Sequence, residues 1–417
     1  MIKVFNNFIF IFSVSIGALF LPSLIPRVTA LGVILLFIAI LINSYQNSKD
    51  KGFTFRDYEI NNVIANMNYS NLFIPSLGVL IIGFWMVLRS FYLPYLIISN
   101  LSLVIIHSLF LVFVVNTRFY LMNYLKTYIY FVFIMSLCGV IASLLIINGL
   151  YPIEGNYVNL DLMTGGSFSR DAGIPNSYVF PYKLGLILTG ETRLNFLGYD
   201  IFRSSGWAHE PTSATLFIMP ALLLILQGNI LRNSFLRFLF FITISLFWIF
   251  CASVGSFLAV MIVFGFYILT NLYIKFFPFK MSLIIFLGLV CSLFILALYL
   301  EPILESSLFS TKFDLESETF GTFLNEFLWF LPNPNLVAPN FFYFGHLLIW
   351  VLICMFLWII VSDVISTGKL STYSLILIYL ILHTMKGSQE SVYTHLFIFF
   401  WFYLAYFSTI KKINLFN

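Results

Sequence analysis

The chain of 417 residues is 61% hydrophobic and 9% charged, with a mean hydropathy of +0.99. A soluble domain carries roughly 25% charged residues, so this composition excludes an ordinary water-soluble globule and points to a polytopic membrane protein. The net charge of +4 is small and dispersed, with no basic stripe, which removes nucleic acid from the expected partners.

A bilayer-spanning helix needs about 20 apolar residues, and on that length the sequence predicts about twelve spans. They fall at 5–22, 28–44, 71–88, 92–116, 127–150, 212–230, 237–252, 255–274, 281–300, 343–362, 371–385 and 394–410. The first apolar run leads to Pro22 and Pro26 without a small-residue cleavage signal, and is read as a retained helix. The run 237–274 is too long for one span, and Ala252-Ser-Val-Gly-Ser256 is its natural break. The expected fold is an all-α polytopic protein, one integral membrane domain over 1–417.

Charge orients it. With a cytoplasmic N-terminus, the inside segments hold Lys3, Lys49, Lys51, Arg56, Arg118, Lys126, Arg232, Arg237, Lys275, Lys280, Lys369, Lys411 and Lys412. Those are 13 of the 21 basic residues, and half of the other eight lie in one long outside loop, where charge orients weakly. Both termini are therefore expected in the cytoplasm. Two large extracytoplasmic loops remain, 151–211 and 301–342. Loops longer than about 15 residues are usually functional or disordered. Both contain enough Trp, Phe, Leu and Ile to pack, so short, partly membrane-lying helices are expected in them. The chemistry should face outward.

The stretch Arg203-Ser-Ser-Gly206-Trp-Ala-His209-Glu210-Pro211 joins the first loop to the next span. Pro211 suits the first position of a helix, where its missing N–H goes unused. Glu210 would then cap the positive end of the helix dipole, which also favours a phosphate-type anion. Arg203 offers the planar fork of donors that matches phosphate oxygens. Glu210 or His209 could accept a proton from a hydroxyl nucleophile. The same atoms have structural readings. His209 could cap or pack, Glu210 could be a helix cap alone, and Arg203 could pair with Glu210 or Asp200. A zinc protease helix is rejected, because position 213 is Ser where a second His would be needed.

Arg27, Arg89 and Lys386 sit in tight outside turns, against the charge bias, and suit either a polyanion at the outer leaflet or snorkelling to lipid phosphates. His107 is mid-helix and fits a buried neutral imidazole. His346, His383 and His395 could line an outward cavity. Ser253, Gly255 and Ser256 read first as close helix packing. The cysteines Cys138, Cys251, Cys291 and Cys354 lie in apolar runs without metal-ligand spacing, and fit free core thiols. Neither GxxxxGK[ST] nor GxGxxG occurs, so ATP hydrolysis is not expected.

About a dozen spans, a large outward loop, and Arg203-x2-Gly206-x3-Glu210-Pro211 running into a helix resemble the Wzy-type O-antigen and capsular polysaccharide polymerases. Ser253-Val-Gly255-Ser-Phe-Leu-Ala resembles a small-residue segment of polymerases and O-antigen ligases, with Val254 where those often carry Arg. The topology spans the whole chain and the motifs about 25 residues of it. The resemblance implies a membrane glycosyltransferase of GT-C type at the outer face of the bacterial plasma (inner) membrane. It would join oligosaccharide repeat units carried on undecaprenyl pyrophosphate into O-antigen or capsular polysaccharide. It further implies Glu210 as general base with His209 as alternate, and Arg203 on the departing pyrophosphate, helped by Arg27, Arg89 and Lys386. The leaving group needs no further activation, so no cofactor or metal is expected. Membrane lipid is a partner, and a chain-length regulator is a candidate one. The rival readings are an O-antigen ligase, whose catalytic histidine would sit in a late outward loop, and a lipid-linked oligosaccharide transporter (flippase), which predicts internal repeats and broken helices.

Overall fold

The computed structural model describes residues 2–15, 28–49, 120–150, 203–208, 211–227, 230–251 and 370–386, with shorter pieces between 101–117, 157–201 and 256–268, and Phe399. Six long helices and six short strands are found there. The helices are α1 (Ile2–Ser15), α2 (Val28–Lys49), α3 (Leu121–Ile147), α4 (Pro211–Gln227), α5 (Ser234–Cys251) and α6 (Thr372–Lys386). The strands are β1 (Tyr157–Asn159), β2 (Ser177–Val179), β3 (Leu186–Leu188), β4 (Leu194–Phe196), β5 (Tyr199–Ile201) and β6 (Arg203–Gly206).

Local chemistry sets the helix ends. Asn233 precedes α5 and its Oδ1 accepts from the amides of Phe235 and Leu236, at 2.9 and 3.2 Å. That side-chain cap starts the helix three residues before the expected 237. Ser371 caps α6 in the same way, its Oγ accepting from the Ser374 amide at 3.2 Å. At the far end of α3, Leu150 N–H bonds Leu145 C=O and Gly149 N–H bonds Ile146 C=O, both at 2.9 Å. Gly149 holds φ +65°, which completes a Schellman termination that only glycine enters without strain.

The helices are apolar on more than one side, and their polarity is inverted. The outer face of α3 shows Tyr130, Ile134, Leu137, Ile141 and Leu144, whereas Ser136 and Ser143 are buried. On α2, Leu31, Ile34, Ile38 and Leu41 are exposed while Asn43 is buried. Asn43 exchanges reciprocal amide bonds of 2.9 Å with Asn6 of α1, and donates to the Ala39 carbonyl at 2.7 Å. This pair fixes the register of α1 against α2. Met122–Ile147 and Ser234–Cys251 are long and apolar enough to cross a membrane.

The central element is α4. It packs on α3, α5, α6 and β6. Every side chain described from Ser213 to Ile225 is buried. Pro220 lies inside it and removes the N–H that would bond the Leu216 carbonyl. Neighbouring hydroxyls meet the carbonyls on either side of that gap. Tyr128 of α3 donates to Phe217 C=O at 3.1 Å, and Tyr379 of α6 donates to Thr215 C=O at 3.2 Å. The Tyr379 oxygen also lies 3.0 Å from Ser256 Oγ, which accepts from Trp248 Nε1 at 3.0 Å. The single proton of Tyr379 is used on Thr215, so Ser256 donates to Tyr379. The result is one directed chain, Trp248 to Ser256 to Tyr379 to the α4 backbone.

Two expectations are corrected here. The first outward loop forms strands where short helices were expected, so the fold is mostly helical and not all-α. The physical reason is local. Triplets such as Tyr157-Val-Asn, Ser177-Tyr-Val and Tyr199-Asp-Ile are rich in β-branched and aromatic residues and are separated by Gly, Pro and Asn turn formers. β1, β2, β3 and β6 make one antiparallel sheet in that order, and β4 pairs β5 in a separate hairpin. Helix bounds also differ: α2 runs on to Lys49 and α3 begins at Leu121, so that Lys126 lies inside a helix. The break expected at Ala252–Ser256 lies, but for Ser256, outside the described residues; α5 is described to Cys251 and helical residues are described again from Ser256. The expected spans 71–88, 281–300 and 343–362, and the second loop 301–342, lie outside the described residues.

Tyr379→Phe should lower thermal stability in detergent by about 1 kcal/mol, because it removes a buried hydrogen bond to the Thr215 carbonyl without changing packing. Tyr128→Phe should act likewise, and the two losses should be separable by differential scanning fluorimetry of the single and double variants.

Candidate functional site

The Arg203–Pro211 segment passes from sheet to bundle. Arg203 pairs with Leu188, Ser204 with Ile187, and Gly206 with Leu186. β6 thus uses two steps for one step of β3, and Ser205 is the extra residue of a bulge. A bulge breaks the in–out alternation of a strand, and accordingly Ser204, Ser205 and Gly206 are all buried. After Gly206 the chain turns, with Ala208 N–H on Ser205 C=O at 3.0 Å. Trp207 lies against Phe131 of α3, ring centres 5.9 Å apart. α4 then starts at Pro211, as its fixed φ suits.

Gly206 has φ +56°, a left-handed conformation that side chains resist. A Cβ there would stand 2.6 Å from Cζ of Phe247 on α5. The motif glycine therefore has two independent structural reasons, turn geometry and close approach to a ring.

Beside it, Ser204 Oγ is fully buried and, among the described residues, lacks a hydrogen-bond partner. Ser136 Oγ of α3 is in the same condition. Unmet hydroxyls in a folded interior call for an explanation, such as a bound water or a ligand.

The expected site residues are placed unevenly. Arg203 is fixed in β6 by its backbone. Lys386 is the last residue of α6, not a residue of the turn beyond it, and a cation there also suits the negative end of the helix dipole. His209, Glu210, Arg27 and Arg89 lie outside the described residues, as do His107, His346, His395, Ser253 and Gly255. His383 falls within α6. Ser256 is a hydrogen-bonding member of the Tyr379 chain, a role beyond the packing expected of it. Cys251 is buried and Cys138 half-buried, and neither forms a disulfide among the described residues.

No family model, no curated protein and no solved structure matches this chain.

Residues that organise this region were not evident as motifs. Tyr128 and Tyr379 had one available signal, a proline inside an apolar span that needs donors from its neighbours. Phe247 had none, since it is one of 51 phenylalanines. Ser204→Ala should leave thermal stability unchanged or raise it, because the hydroxyl removed has no partner to lose among the described residues. A fall in melting temperature on fluorimetry would show that the hydroxyl is bonded after all.

Proposed function

We propose that this protein is a multi-pass glycosyltransferase of the bacterial plasma membrane. It polymerises oligosaccharide repeat units carried on undecaprenyl pyrophosphate into O-antigen or capsular polysaccharide, as Wzy-type polymerases do. The observation that carries the reading is the course of Arg203–Pro211. A basic residue on a sheet strand is followed, within eight positions, by the first turn of helix α4, whose side chains from Ser213 to Ile225 are buried. Such a helix start favours an anion, and a guanidinium close in sequence can fork onto phosphate.

The inverted polarity of α2 and α3 supports the membrane location. A helix with Ser and Asn inside and Leu, Ile and Phe outside matches a lipid surround and not water. With both termini in the cytoplasm, the sheet and the Arg203–Pro211 segment face outward, where lipid-linked repeat units are assembled.

In the reaction, the terminal hydroxyl of the incoming unit attacks the anomeric carbon of the growing chain. The bond to pyrophosphate breaks as the new glycosidic bond forms. Glu210, with His209 as alternate, takes the hydroxyl proton. Arg203 neutralises the departing diphosphate, and Arg27, Arg89 and Lys386 are further candidates for that charge.

A lipid-linked oligosaccharide transporter is the second reading, on one observation: Pro220 interrupts the hydrogen bonding of the central helix, as in helices that break around cargo. Against it, α4 stays helical through Pro220.

A deletion strain scored on a polysaccharide gel tests the proposal. Single capped repeat units in place of a ladder are expected, and absence of any attached unit would favour the ligase or transporter. Glu210→Gln should abolish the ladder while the protein still inserts. Arg203→Lys should reduce polymer by about a hundredfold or more, the scale of losing one charge-stabilising donor. Parental activity would make Arg203 a structural ion-pair partner.

A further inference from the structure

Phe247 of α5 is fully buried, and two glycines from different elements close on its ring. Gly139 of α3 stands on one side, where an added Cβ would overlap Cε2 and come within 2.6 Å of Cδ2 and 2.9 Å of Cζ. Gly206 of β6 stands at the ring tip, where a Cβ would come within 2.6 Å of Cζ and 3.3 Å of Cε1. The ring thus occupies a slot that neither glycine could line with any larger residue. It is shared by two helices of the bundle and by the strand that carries Arg203. β6 also packs on α4, so the same contact ties the strand to the helix that begins at Pro211.

We propose that Phe247 is a positioning residue, held between Gly139 and Gly206, which sets the place of the Arg203–Pro211 segment on the bundle. It acts through Gly206, three residues from Arg203 and four from Glu210. The motif glycine is therefore a mechanical joint as well as a turn, and its partner lies in another part of the chain. The inference rests on the polymerase reading for its functional half, while the slot itself is independent of any activity.

Gly139→Ala gives the cleanest test. Alanine favours the helix, so the only injury is the methyl group pressed against the ring. The variant, the parent and Gly139→Ala with Phe247→Leu are purified in lipid nanodiscs. Trypsin cleavage after Arg203 is followed by mass spectrometry, and polymer per inserted molecule is measured in the deletion strain. Gly139→Ala should speed cleavage after Arg203 about fivefold or more, because proteolysis follows the open population of a strand. It should cut polymer per inserted molecule about tenfold to a hundredfold, the effect of a small misplacement far from the chemistry. Phe247→Leu should restore both. Gly206→Ala should be rescued less completely by the same change, because its φ remains strained.

Unchanged cleavage in Gly139→Ala overturns the slot, whatever happens to the polymer. Faster cleavage with undiminished polymer per molecule overturns the positioning role. Loss of polymer only in proportion to lost protein does the same. A deletion strain with a normal ladder ends the polymerase reading, and the cleavage comparison still decides the slot. If Gly139→Ala does not insert, Phe247→Ala, which empties the slot instead of crowding it, is judged by the same two readouts.

Discussion

Pro220 costs α4 the backbone hydrogen bond at the Leu216 carbonyl, and hydroxyls from two neighbouring helices bond the carbonyls on either side of it. The side chains of α4 from Ser213 to Ile225 are buried. In such a setting an unmet polar group is expensive, and donors must come from neighbouring helices. Tyr128 arrives from α3 and Tyr379 from α6, one to each side of the gap. Tyr379 is itself oriented by Ser256, and Ser256 by Trp248. Four parts of the chain are thereby tied to one helix by directed bonds. Stacked rings supply the rest: Phe10 on Tyr124 at 4.8 Å, and Phe133 on Phe240 at 3.9 Å.

Of the four-stranded sheet, β6 makes the broad contact with the helices, reaching α3, α4 and α5. Its bulge turns three consecutive residues inward, and the positive φ of Gly206 redirects the chain towards α4. Rigid helices thus hold a short irregular segment, which is the usual way for a scaffold to carry a site on a connection. Two of the hydroxyls without a partner among the described residues, those of Ser136 and Ser204, belong to elements that touch each other.

Much of this was legible in the residues, and the failures are instructive. Length and hydropathy placed α4 and α6 nearly to their bounds and the start of α2, and Pro211 marked a helix start correctly. The loop 151–211 was misjudged because aromatic and aliphatic content was weighed without its period. Three-residue strands leave hardly any alternation to read, and the Gly and Pro between them were the better signal. The α5 start was missed because Asn233 was not credited as a cap. For the candidate site, the sequence supplied Arg203, Gly206 and Pro211 in line. It could not supply Phe247, whose part depends on two glycines, one 108 residues before it and one 41. Contacts made across such separations leave no local trace in a chain this rich in phenylalanine.

The burial of α4 has a consequence for how the protein is made. The Tyr379 hydroxyl that bonds the Thr215 carbonyl stands 164 residues further along the chain. α4 therefore completes its packing only once α6, made long after it, has joined it.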